Sequence, residues 1–175
     1  MCARGHKNIF HMNKKAEKNE MLKIVPAQTD EDFEIAKKLL IEYADSLGFD
    51  LSFQDFEQEL ADLSNHFASP EVCLLLAIYE SQAVGCVAIK RFDNDICEMK
   101  RLYVKPQFRG LGIGRALAEA VIKHAQKVGY DCMRLDMVLP RDSARSLYLS
   151  LGFKDIEPYR YNPMERAVFM ELKLV

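Results

Sequence analysis

Two apolar runs constrain the fold most. Val72 to Tyr79 and Ala83 to Ile89 are nearly continuous hydrophobic stretches, joined by a tight connection at Ser81-Gln82. Each is far shorter than the ~20 apolar residues a membrane-spanning helix needs, and no other run in the chain comes closer. They read as strands, and their lack of apolar-polar alternation implies that both faces are covered. The short connection makes them an antiparallel hairpin. A chain built on such a hairpin must supply packing partners for two sides of one sheet.

The flanking sequence supplies them. Leu22 to Val25 reads as a short strand stopped by Pro26. Thr29 or Asp30 then caps a helix whose apolar stripe is Phe33, Ala36, Leu40, Tyr43, Ala44 and Leu47, ended by Gly48. Ser52 with Asp55 resembles a capping box opening a second helix, with Phe53, Phe56, Leu60, Leu63 and Phe67 on one face. After the hairpin, Asp93-Asn94-Asp95 is a turn signal and Ile96 to Val104 a strand stopped by Pro106. A helix follows from about Gly112 to Lys127, with Gly129 just past its end. Met133 to Val138 is a strand, and Asp142 or Ser143 caps a short helix ending near Leu151-Gly152. Phe153 to Ile156 and Ala167 to Leu174 close the chain as strands. The expected fold is α/β: a single-domain, mixed, mostly antiparallel twisted sheet of about seven strands with helices on both faces.

Residues 1–20 carry no apolar period and read as a flexible basic N-terminal arm, followed by one domain over 21–175. Met1, Met12 and Met21 are each candidate starts. The composition, 49% hydrophobic and 29% charged, excludes a disordered chain and a collagen-like fibre. Lys+Arg is 24 against Asp+Glu 26, a net charge of −2, which argues against a nucleic-acid binder. The five cysteines are odd in number, widely spaced and without a C-x-x-C pair, so they read as reduced thiols of a cytoplasmic protein. The four histidines do not stand at ligand spacing, and no metal is expected. The N-terminus has no apolar core of a secretory signal, and no membrane partner is expected.

The segment richest in chemistry runs from Val104 to Arg115, between a strand and an amphipathic helix. Glycines at 110, 112 and 114 let the backbone approach a ligand closely. Successive amides at a helix N-terminus make a donor-rich concavity suited to a pyrophosphate. A Walker A loop would need Gly-Lys-Ser/Thr, whereas Gly114 is followed by Arg115 and Ala116. A dinucleotide fingerprint needs its glycines directly after the strand; Asp136 stands near the right distance for a ribose-binding acid, but too little chain remains for a second βαβ half. The third reading is Arg-x-x-Gly-x-Gly, formed by Arg109, Gly112 and Gly114. Here the sequence resembles the GNAT superfamily of acetyl-CoA-dependent N-acyltransferases. Two further blocks carry the resemblance: Ala144 to Phe153, matching Ala-x-x-Leu-Tyr-x-x-x-Gly-Phe, and the Glu-Met-Lys-Arg-Leu-Tyr-Val strand at Glu98 to Val104. It covers about residues 22–174.

The resemblance implies acetyl-CoA as co-substrate, held between the strands at Ile96–Val104 and Met133–Val138. Backbone groups of Leu102, Tyr103 and Val104 would meet the pantetheine arm and the developing oxyanion. Arg109, Gly110, Leu111, Gly112, Ile113, Gly114 and Arg115 would hold the pyrophosphate. Glu98 would be the base and Tyr148 the acid; alone, they read equally well as an ion-paired strand carboxylate and a half-buried helix tyrosine. Many members carry an asparagine where Arg141 stands, a departure that leaves the role of Arg141 open. Tyr159, Tyr161 and Asn162 would overhang the acceptor site or simply pack in their loop. Lys100, Arg101, Arg160 and Arg166 would attract an acidic acceptor or, more commonly for such charges, form a solvated face. The acceptor is expected to be a small-molecule or protein amine, and family members are often homodimers. A silent acyl-CoA sensor and a dinucleotide-dependent oxidoreductase are the competing readings.

Overall fold

The computed structural model describes residues 21–48, 51, 55–138 and 142–175. The expected arm, Ser52, Phe53 and Arg141 lie outside them. In chain order the elements are β1 (Leu22–Pro26), α1 (Asp30–Leu47), α2 (Phe56–Ala61), α3 (Leu63–His66), β2 (Cys73–Tyr79), β3 (Gln82–Arg91), β4 (Ile96–Val104), a 3₁₀ turn (Pro106–Phe108), α4 (Ile113–Val128), β5 (Cys132–Val138), α5 (Asp142–Ser150), β6 (Lys154–Ile156) and β7 (Ala167–Lys173). The described strands form one sheet of seven in the order β1-β2-β3-β4-β5-β7-β6.

Local chemistry sets the element ends. The Thr29 hydroxyl accepts the Asp32 amide at 3.2 Å, and the Asp32 carboxylate accepts the Thr29 amide at 3.0 Å, a complete capping box for α1. Gly48, at φ 75°, ends it in the left-handed region. The β2–β3 turn is made by Glu80 and Ser81, both at positive φ, one residue earlier than the expected Ser81-Gln82. A two-residue type I′ loop has positive φ at both central positions, and Gln82 is already paired with Tyr79. The single helix expected over Phe53 to Phe67 is two short ones, broken at Asp62 (φ −146°). Asp62 begins the second of them, its carbonyl accepting the His66 amide at 3.1 Å and its carboxylate the Asn65 side chain at 2.9 Å.

The two apolar runs are explained by the layers. On β2, Leu75 and Ala77 face a core shared with Leu117 and Val121 of α4, while Leu74 and Leu76 face a core shared with Leu39 and Leu40 of α1. Every position is therefore covered, and no alternation survives in the sequence.

Two irregularities in β4 prepare the site. First, β4 is parallel to β5 but pairs with it only over Ile96 to Glu98. Beyond Glu98 the strands separate, while β5 stays paired with β7 along its whole length. Second, the β3–β4 register slips between Cys86–Tyr103 and Ala88–Lys100, a bulge centred on Arg101, which has φ +60°. The bulge turns the buried Arg101 toward α2, where its guanidinium bonds both oxygens of Glu59 (3.5 and 3.3 Å) and lies 4.8 Å from the Phe56 ring centre. Glu59 is 1% exposed and also pairs with Lys90. Burial pushes its carboxyl up, but Arg101 and Lys90 outweigh that and hold it below the usual carboxylate range.

Candidate active site

The glycine segment folds as a helix start with open donors. Gly110 and Gly112 have φ +79° and +82°, and Gly112 is the N-cap of α4. No described side chain caps this end, and the Ala116 amide is the first to close a helical bond, to the Gly112 carbonyl at 3.1 Å. The amides of Ile113, Gly114 and Arg115 are left pointing out of the helix end. A Cβ on Gly114 would lie 3.8 Å from Val104 and 3.9 Å from Leu147, ordinary contacts, so the protein's own packing does not require glycine there. Space on that side is kept for something else. Arg109 donates to the Val104 carbonyl at 3.0 Å, and Arg115 to the Ser150 hydroxyl at 2.6 Å. Both guanidiniums therefore border the glycine loop while tied to neighbouring elements.

The free edge of β4 faces the same space. Lys105 N–H donates to the Val84 carbonyl on β3 at 2.8 Å. By strand alternation the backbone groups of Tyr103 also turn to β3, whereas those of Val104 and Leu102 turn to the gap beside β5. Tyr103 thus offers its edge of the strand to β3, and its hydroxyl donates to Glu42 at 3.3 Å. The Val104 carbonyl is already engaged by Arg109, so Leu102 carries the freer pair of backbone groups.

Three cavities adjoin along β4. One of about 820 Å³ lies between the glycine loop and α5. It shares Tyr43, Leu102 and Ala144 with a narrower one of about 100 Å³ between the separated strands, walled by Leu135, Asp136 and Tyr148. That space shares Lys100 with a third cavity of about 310 Å³, walled by Lys90, Arg91, Glu98 and Arg160. Tyr148 is 8% exposed, with its ring edge-on to Phe153 at 5.6 Å.

Glu98 sits where β4 and β5 part, within a dense polar cluster. Its carboxylate accepts from the Tyr159 hydroxyl at 2.6 Å and from Arg160 at 3.2 Å, and it forms an ion pair with Lys100 at 3.5 Å. Arg160 also reaches Asp136 on β5, and Asn162 donates to the other Asp136 oxygen at 2.8 Å. The 157–166 loop is thereby pinned across the strand gap. Burial and the Glu98 charge push the Tyr159 phenol well above its usual range, so it remains a donor. Burial pushes the Lys100 amine down to about 8, against the pull of Glu98.

Of the residues expected from sequence, Glu98, Tyr159 and Asn162 meet in this cluster, and Tyr148 stands in the adjoining space. Tyr161 is 82% exposed on the rim of the third cavity. Arg101 is buried structure rather than a surface charge for an acceptor. Glu59 and Asp136 as partners were missed. Glu59 had a signal: it lies three residues after Phe56 and four before Leu63, on the apolar stripe itself. Among the described residues no group of side chains suited to a metal ion occurs.

Comparison with known proteins agrees with this geometry. The acetyltransferase (GNAT) family profile matches residues 35–153. An uncharacterized N-acetyltransferase of Schizosaccharomyces pombe is 39% identical over 155 residues, spanning 87% of this chain and 95% of its own. In fold, an acetyltransferase of Salmonella typhimurium solved with acetyl-CoA superposes with a TM-score of 0.65 at 16% identity, covering 89% of this chain and 95% of that one. The PaiA N-acetyltransferase of Thermoplasma acidophilum, in complex with coenzyme A, gives 0.65 at 20% identity, over 87% of this chain and 98% of that one.

Proposed function

The chain belongs to the acetyltransferase (GNAT) family, and we propose from that premise a division of labour among its residues. It is an N-acetyltransferase that moves an acetyl group from acetyl-CoA to a primary amine. One observation carries the reading: β4 leaves β5 after Glu98, and the gap runs directly to the uncapped start of α4. The amides of Ile113, Gly114 and Arg115, with the room beside Gly110 and Gly114, fit a pyrophosphate. The free edge of Leu102, and the amide of Val104, fit an extended amide-bearing arm as an added strand.

When bound, acetyl-CoA supplies its acetyl group as a thioester. An alkyl ammonium has a pKa near ~10 and no lone pair until deprotonated. Glu98 takes that proton, directly or through a water, and the amine nitrogen then bonds to the acetyl carbon. Tyr159 and Arg160 donate to the Glu98 carboxylate and fix its orientation at the gap. Tyr148 gives its phenolic proton to the departing sulfur. The backbone N–H of Leu102 faces the gap and is placed to meet charge developing on the carbonyl oxygen. A cytoplasmic setting suits the buried free thiols of Cys73, Cys86 and Cys97, each pushed up to about 12 by burial. No described helix is long and apolar enough to cross a membrane.

The test is coenzyme A thiol release from acetyl-CoA with a panel of primary amines. Turnover with at least one amine is expected. Tight acetyl-CoA binding with no turnover on any amine would leave a silent cofactor sensor instead.

A further inference from the structure

Lys100 is a costly residue that the fold does not use. Its side chain is only 8% exposed, yet its single ion pair among the described residues is the 3.5 Å approach to Glu98. Tyr159 and Arg160 donate to the same carboxylate at 2.6 and 3.2 Å, closer than Lys100. The Lys100 ammonium makes no hydrogen bond among the described residues. Its three N–H donors therefore find only this long approach to Glu98, which leaves a buried cation under-satisfied. No fully sealed polar side-chain atom among the described residues lacks a hydrogen-bond partner, so the Lys100 ammonium must open onto cavity space. The cavities it borders are the strand gap and the 310 Å³ chamber beyond Glu98.

The chamber has a matching character. Its wall carries the cations Lys90, Arg91, Lys100 and Arg160 against the carboxylates Asp55 and Glu98, four to two. Lys90 is matched by Glu59, Arg91 by Glu71, and Arg160 by Glu98 and Asp136. Lys100 has only its 3.5 Å approach to Glu98, which Arg160 shares, and is the least satisfied cation of this wall. The volume lies at the small end of ligand sites, room for a metabolite rather than for a protein surface loop.

We propose that the acceptor is a small amino acid-like compound, with its carboxylate received by the Lys100 ammonium and its amine beside Glu98. The proposal rests on the acetyl-transfer reading above and specifies the acceptor. The two groups stand 3.5 Å apart on one strand, and an amino acid presents opposite charges only two or three bonds apart. The acceptor's ammonium answers Glu98 and its carboxylate answers Lys100. An amine without a carboxylate would leave Lys100 buried and unmet, so the site selects against it. Lys100 is thus a specificity-determining residue, separate from the proton transfers.

The experiment uses the full chain with acetyl-CoA and matched acceptors: glycine with methylamine and glycinamide, alanine with ethylamine, phenylalanine with phenethylamine. Some carboxylate-bearing member should exceed its partner in kcat/KM by on the order of 10–100-fold, the scale of one charge-assisted hydrogen bond. Lys100→Met should raise KM for that acceptor and collapse the ratio, while Lys100→Arg retains part of it. An unchanged acetyl-CoA thermal shift in both variants reports that they fold. The proposal is overturned if amines lacking a carboxylate are preferred, if Lys100→Met keeps the ratio, or if only peptide amines react. In those cases acetyl transfer still stands. Absence of any acetyl-CoA binding would overturn both.

Discussion

Replacing Lys100 by Met should stabilise the protein near neutral pH, and the gain should fade as the solution becomes alkaline. The side chain is 8% exposed, and burial lowers its amine from 10.5 to about 8. Below pH 8 the lysine is protonated in both the folded and unfolded chain, and the full cost of burying the charge is present. Between about 8 and 10.5 the unfolded chain still binds the proton and the folded chain does not, so this group's contribution rises with pH. At about 1.4 kcal/mol per pH unit, the cost is about 3 kcal/mol in all, and about 2 of this is relieved between pH 7 and pH 9.5. Urea unfolding of wild type and Lys100→Met at those two pH values measures it. The difference between the two proteins is the quantity of interest, because the buried thiols of Cys73, Cys86 and Cys97 destabilise both as pH rises. The expected result is a variant more stable by a few kcal/mol at pH 7, with the gap narrowing by about 2 at pH 9.5. A variant less stable than wild type at pH 7, or a gap independent of pH, would show that Lys100 is a structural ion pair and refute the reasoning.

Gly112→Glu forces a side chain into the left-handed region and sets a negative charge at the helix start, so acetyl-CoA should no longer raise the melting temperature. Tyr148→Phe should lower kcat roughly 10–100-fold with acetyl-CoA affinity unchanged, measured by steady-state kinetics beside calorimetric titration. Glu98→Gln should cut the rate most below the acceptor's pKa; a wild-type pH profile would remove Glu98 from the proton path. Gly85→Ala places a Cβ 2.5 Å from the Tyr103 carbonyl, so the strands must shift, with a loss of about 1–3 kcal/mol in chemical denaturation.

The resemblance of two short blocks proved a sound guide to the family, because both report on backbone. Gly112 is required by a positive φ at the start of α4, and the Ala144 to Phe153 block positions α5 against the strand gap. Glu98 and Tyr159 illustrate the opposite case. They are 61 residues apart in the chain, and only the return of the 157–166 loop over the sheet brings the phenol within 2.6 Å of the carboxylate. The expected helix over Phe53 to Phe67 missed its break because the backbone turn at Asp62 leaves the spacing of Leu60, Leu63 and Phe67 intact, and hydrophobic periodicity does not register it.

Hydrophobic patterning, glycine placement and capping residues determined the strands, the helices and their covered faces, since these follow from interactions within a few residues. The parting of β4 from β5 was decided by tertiary structure. Pairing stops at Glu98, and the bulge that follows carries Arg101 to a carboxylate 42 residues away at Glu59, contacts that no local pattern encodes. The same holds for the exposure of Lys100 to a cavity. A lysine in a strand reads as solvated, and only the fold shows it 8% exposed and sharing the Glu98 carboxylate with Arg160. Local sequence specifies which groups are present; which of them remain unmatched depends on all the elements packed around them at once.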